Sequence, residues 1–223
     1  MEFKKFYLLF CKDISLFLNS KLNIGEIFGF SFLCVVLSTF TLGALILPEG
    51  DKIVLAIAAS WLCFAFSTVQ IFSKTFDSER QDRAIDMVMT SRVSPASFYF
   101  AKWLSSTVLV CFVQALICLL FQLFFDANLI LPSLLLLYFL SASALSALGV
   151  LLSAISSSLK NKEASLPILL FPLAVPILFS GVELTMKISL NQPFDYFWLI
   201  VLLSINAITL SLSWLFFERV IRG

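Results

Sequence analysis

The chain has 223 residues, 60% of them hydrophobic and only 13% charged, with a formal net charge of +1 and no histidine. Average soluble domains carry about 25% charged residues, so this composition excludes a soluble globular protein, and the near-neutral balance argues against nucleic-acid binding. Without histidine the chain lacks the usual general base, the commonest metal ligand and the usual axial haem ligand.

Residues 1–20 read as an amphipathic helix. Phe3, Phe6, Tyr7, Phe10, Ile14 and Phe17 share one face, while Lys4, Lys5, Lys12, Ser15 and Asn19 cluster on others. Aromatics on one side and lysines on another suit a helix lying in the headgroup layer of a lipid membrane. Lys12 and Asp13 interrupt the apolar stretch and no small-residue cleavage site follows, so no cleavable signal peptide is expected here.

Six apolar stretches follow, over residues 27–47, 53–72, 104–125, 129–159, 164–182 and 196–217. Each has about the length needed to cross a bilayer as a helix. The fold expected is therefore all-α and integral to the membrane: one membrane domain, with an interfacial helix and six transmembrane helices. The five cysteines, Cys11, Cys34, Cys63, Cys111 and Cys118, form no CxxC and read as small apolar core residues rather than a disulfide or metal framework.

Lys and Arg set the expected orientation. With the N-terminus in the cytoplasm, only Lys52 and Lys187 fall outside, and the other 13 of the 15 Lys and Arg residues fall inside. Both termini are then cytoplasmic, in a bacterial inner membrane.

Between the second and third spans lies a charged island, "KTFDSERQDRAIDMVMTSRVSP", expected to form a cytoplasmic helix over residues 75–92. Ser78 and Gln81 match a capping box. Glu79 and Arg83 form an i,i+4 pair in the favourable order. Ile85, Val88 and Met89 make a small apolar patch with no soluble core to join. Ser94-Pro95 reads as the start of the next helix, which Phe98, Tyr99, Phe100, Lys102 and Trp103 would anchor at the membrane surface. Dense charge of both signs beside an apolar patch suits docking of a cytoplasmic protein; the plainer alternative is a solvated loop helix. The docking candidates are Phe76, Asp77, Glu79, Arg80, Asp82, Arg83, Ile85, Asp86 and Met89.

This arrangement looks like the permease of an ABC exporter. The stretch "FDSERQDRAIDMVMTSRVSPASFYFAKW" resembles the haem-exporter permease family of cytochrome c maturation, with Phe76, Glu79, Asp82, Ile85, Asp86 and Lys102 at the family's positions. The stretch "FPLAVPILFSG" resembles a second family motif through Pro172 and Pro176. Arg83 stands where the family often carries glycine. The resemblance implies an ATPase subunit, a tryptophan-rich haem-handling membrane subunit and a small single-span subunit as partners, besides the lipid itself. It also implies ATP-driven haem delivery, or release of a haem-loaded chaperone. The chain has no GxxxxGK[ST] motif, so ATP would be hydrolysed on a partner and the chain itself is not expected to be an enzyme. No cofactor or metal is expected to be bound directly. Haem is the candidate cargo, with its axial ligands supplied by a partner. The alternatives are a permease for a lipid-linked glycan, drug or peptide, and a membrane assembly factor without transport.

Within the spans, Pro167, Pro172 and Pro176 read as a static kink or as a hinge in the wall of a transport path. Gln114 and Asn206 are buried amides, suited to bonding across helices or to lining such a path. Ala142, Ser146, Gly149 and Ser153 form a small-residue stripe suited to close helix packing. Glu183 falls at the outer end of the fifth span.

Overall fold

The computed structural model describes residues 2–19, 21–43, 48–75, 95–125, 129–157 and 162–222. The apolar runs become helices because backbone polar groups in hydrocarbon must find their partners within the segment. In chain order the helices are α1 (Glu2–Asn19), α2 (Lys21–Gly43), α3 (Glu49–Lys74), α4 (Pro95–Phe125), α5 (Pro132–Ser157), α6 (Lys162–Ser189) and α7 (Tyr196–Arg222). No strand occurs among the described residues. Helices α2 to α7 are each long and apolar enough to cross a membrane.

Tertiary contacts fix how the spans run. The C-terminal turn of α3 meets the later half of α5 and the first turns of α4, while mid-α3 meets the later half of α6 at Trp61 and Thr185. The start of α4 packs on the end of α7 through Phe98, Tyr99 and Phe217. Successive spans therefore alternate in direction, and α1 packs against α4 at the end of the bundle where α3 finishes and α4 begins. Helix α5 is the most enclosed span, while α2 and α7 are among the most open.

Close approach at the centre depends on two glycines. A Cβ on Gly149 of α5 would lie 2.4 Å from the Phe72 ring, and one on Gly181 of α6 would lie 2.3 Å from the Trp61 ring. Phe72 and Trp61 are both fully buried and cannot step aside cheaply. The stripe Ala142, Ser146, Gly149 and Ser153 is buried along its whole length.

Helix α6 extends well past residue 182, where its apolar run ends. It passes through Glu183 and Lys187, and no breaker intervenes until Asn191 and Pro193. The stop is a Schellman motif: Asn191 takes φ 51°, its N–H bonds the Ile188 carbonyl, and the Gln192 N–H bonds the Lys187 carbonyl at 2.8 Å. Asp195 then caps α7 through a 3.0 Å bond from the Phe197 N–H. It also pairs with Lys187 at 3.1 Å, and these contacts, that from Lys187 foremost, hold its carboxyl below the usual carboxylate range.

Candidate functional site

The docking candidates Phe76, Asp77, Glu79, Arg80, Asp82, Arg83, Ile85, Asp86 and Met89 lie outside the described residues. The two stems that carry their segment are described, and both are bonded or packed to neighbouring helices.

The first stem is the C-terminus of α3. A helix end leaves carbonyls short of intrahelical donors; here the Phe72 carbonyl takes the Thr75 N–H at 3.2 Å, and neighbouring helices add further donors. Ser153 of α5 donates its hydroxyl to the Phe72 carbonyl at 2.6 Å. Lys102 of α4 donates to the Thr75 carbonyl at 3.1 Å. Lys74, in the last turn, pairs with Glu26 of α2.

The second stem is the N-terminus of α4. Phe98 and Tyr99 are buried against Phe217 of α7 and against Val150 and Ala154 of α5. Trp103 donates its indole N–H to the Ser143 carbonyl of α5 at 3.1 Å.

Lys102 joins the two stems to the interfacial helix. Its ammonium lies 3.1 Å from Asp13 Oδ1, and the two side chains are only 5% and 10% exposed. Ser105 reaches the other Asp13 oxygen at 3.4 Å, and the Lys102 ammonium sits 6.0 Å from the centre of the Phe98 ring. One buried cation thus touches Asp13 of α1, Thr75 at the start of the segment and the Phe98 ring in the helix that follows it. The expectation that Phe98, Tyr99 and Lys102 are surface anchors is corrected here: all three are buried, and of this group Phe100 alone is exposed. A buried ammonium is stable only with partners, and the fold provides them.

Asp13 is the residue to which the sequence pattern alone assigned no role. The signal was present: Asp13 follows Phe10 by three positions and precedes Phe17 by four. It therefore sits on the aromatic edge of an amphipathic helix, where an acid calls for a buried partner.

The remaining candidates are not gathered at one place. Asn206 of α7 bonds across to α5, donating to the Leu140 carbonyl at 2.7 Å and accepting from the Ser143 hydroxyl at 3.3 Å. Gln114 is buried in α4, donates to Cys118 Sγ at 3.5 Å within its own helix, and its Oε1 has no partner among the described residues. Pro172 and Pro176 face outward from α6, while Pro167 is half-buried on another side of the same helix. No His, Cys, Asp and Glu cluster suited to a metal occurs among the described residues.

The family model described as CcmB protein matches residues 4–222. Comparison with curated proteins returns no match. With the six spans and the helical architecture described above, this match over nearly the whole length places the chain in the CcmB family, the membrane permease component of the haem exporter of cytochrome c maturation.

Proposed function

We propose that this permease is driven by an ATPase subunit that docks on the segment over residues 75–92 from the cytoplasm, and that Lys102 is the point through which the push enters the bundle. The observation that carries the reading is the sharing of Lys102 between Asp13 and the Thr75 carbonyl. A displacement of the segment moves both of its stems, and those stems are bonded or packed to α1, α2, α5 and α7. Motion is then delivered to the bundle as a whole rather than absorbed in a loop. Tight packing transmits such a shift because close-packed interiors deform little.

In this reading both termini and α1 are cytoplasmic, since Lys and Arg concentrate at that end. The tryptophan-rich haem-handling subunit and the small single-span subunit complete the complex. The work of the cycle is haem delivery, or release of the haem-loaded chaperone. This chain supplies the moving wall, and the iron ligands come from elsewhere because the chain has no histidine.

The test uses the double variant Glu79→Ala, Asp86→Ala in the intact complex. Surface charge changes away from specific contacts alter stability by about 0.5 kcal/mol or less, whereas losing one member of a charge pair desolvated at an interface costs about 2–5 kcal/mol of binding. Normal membrane abundance with reduced ATPase recovery and reduced cytochrome c assembly is expected. Full ATPase recovery and full assembly would return the segment to a solvated loop.

A further inference from the structure

The half of the bundle away from Lys102 holds a string of polar side chains that the coupling mechanism does not use. Trp61 of α3 donates its indole N–H to Thr185 Oγ1 of α6 at 3.1 Å, and Thr185 donates its own O–H to the Gly181 carbonyl at 2.7 Å. The Tyr138 hydroxyl of α5 lies beside Thr185 and beside Cys118 of α4, and donates to the Leu129 carbonyl at 3.1 Å. Gln114, one turn before Cys118, donates an amide N–H to its Sγ at 3.5 Å. Four helices thus meet through five polar side chains, every one of them buried.

Protons are short along this string. Gln114 is 1% exposed, and its Oε1 has no partner among the described residues. The Tyr138 oxygen gives its proton to Leu129 and keeps lone pairs that can accept. Trp61 and Thr185 have each already given their single proton. Cys118 brings one weak S–H to the two acceptors beside it. A polar group left in this condition inside a bilayer is costly. The component that completes the string must supply two protons and carry no net charge, because a cation among these neutral groups would be costly in its turn. Water meets that description, and buried waters typically bond polar groups that the protein leaves unsatisfied.

We infer that Gln114 and Tyr138 hold a buried water molecule, which donates to Gln114 Oε1 and to the Tyr138 oxygen and so bonds α4 to α5. The bonds that α4 makes to other helices through Lys102, Trp103 and Ser105 lie in its first three turns. The water extends that attachment to the far half of α4 and, through Tyr138, Thr185 and Trp61, towards α6 and α3. It does so whether or not an ATPase docks on residues 75–92.

The experiment is radiolytic hydroxyl-radical labelling of the intact complex in lipid nanodiscs, read residue by residue by mass spectrometry. Radicals formed from a buried water oxidise the side chains that touch it. Tyr138 and Cys118 are expected to be oxidised well above Phe72, which is also buried but lies at the other end of the bundle. Intrinsic reactivities differ, so the deciding comparison is with Gln114→Met. Labelling of Tyr138 and Cys118 is expected to fall several-fold there, while the exposed Tyr196 keeps its parent level. The same variant is expected to lower the melting temperature by about 2–4 °C, the scale of one lost hydrogen bond in a chain of this size. Tyr138→Phe tests the site without touching α4, and labelling of Cys118 is expected to fall as far. In the double variant labelling falls no further and the stability lost is less than the sum of the two, since both changes act on one shared water. A raised melting temperature in Gln114→Met overturns the inference, because deleting a dry, unpartnered amide relieves its cost. It is also overturned by parent labelling of Tyr138 and Cys118 no higher than that of Phe72, by labelling unchanged in both single variants, or by additive losses in the double variant.

Discussion

The contact between Asp13 and Lys102 shows what one ion pair does in a bilayer protein. Each side chain alone would be an uncompensated charge in a nearly closed site. Breaking such a pair by removing one partner costs about 3–5 kcal/mol, while replacing both partners with apolar groups is often close to neutral. Asp13→Ala and Lys102→Ala are therefore expected to lower the melting temperature in detergent and the amount of protein in the membrane. Asp13→Leu combined with Lys102→Met is expected to recover most of the abundance, although the Thr75 carbonyl loses a donor. If the pair also carries motion, the double variant assembles cytochrome c poorly at near-normal abundance. Single variants as stable as the parent would show that the site admits water and that the pair is dispensable.

At the scale of helices, contact distance is set by what is missing from a side chain. Gly149 and Gly181 let α5 and α6 come against the fully buried rings of Phe72 and Trp61. Overpacking of this kind costs about 1–3 kcal/mol. Gly149→Ala and Gly181→Ala are expected to destabilise by that order in thermal unfolding. Gly29→Ala in α2 is the control, because a Cβ there meets nothing within 4 Å, and the gain in helix propensity favours alanine by up to about 1 kcal/mol. Equal melting points for all three variants would refute the packing argument. Gly149 has a second consequence, since Phe72 lies in the last turn of α3, next to the stem of the charged segment. Its alanine variant should disturb the Ser153 bond to the Phe72 carbonyl as well.

For the molecule as a whole, the alternation of spans puts α1, the end of α3, the start of α4 and the end of α7 together. Lys102, Lys74 and Arg219 lie at that end, with Lys187 at the other. With the positive end inside, a cysteine introduced as Asp51→Cys should react with an impermeant reagent in intact cells. Glu79→Cys and Asn161→Cys should react only after the membrane is opened. The parent chain, with its five native cysteines, sets the background. Reaction of Glu79→Cys in intact cells would invert the proposed arrangement, and with it the side from which an ATPase could dock.

The helical class and the six spans were legible in the residues themselves, because a run of about 20 apolar residues has few other homes than a bilayer and must close its own hydrogen bonds there. So was the family, through the charged island and the Pro172–Pro176 stretch. Two things were not legible. The partner of Lys102 lies 89 positions away in the chain, and no local pattern links them. Nor could periodicity tell which side of α6 faces its neighbours. A span that is apolar all round has no polar face to mark the outside, and inside a bilayer the lipid is as apolar as the packed interior. Only the packing of α3, α5 and α7 around it turned Ala174, Ile177 and Leu184 inward and left Pro172, Pro176 and Phe179 outward.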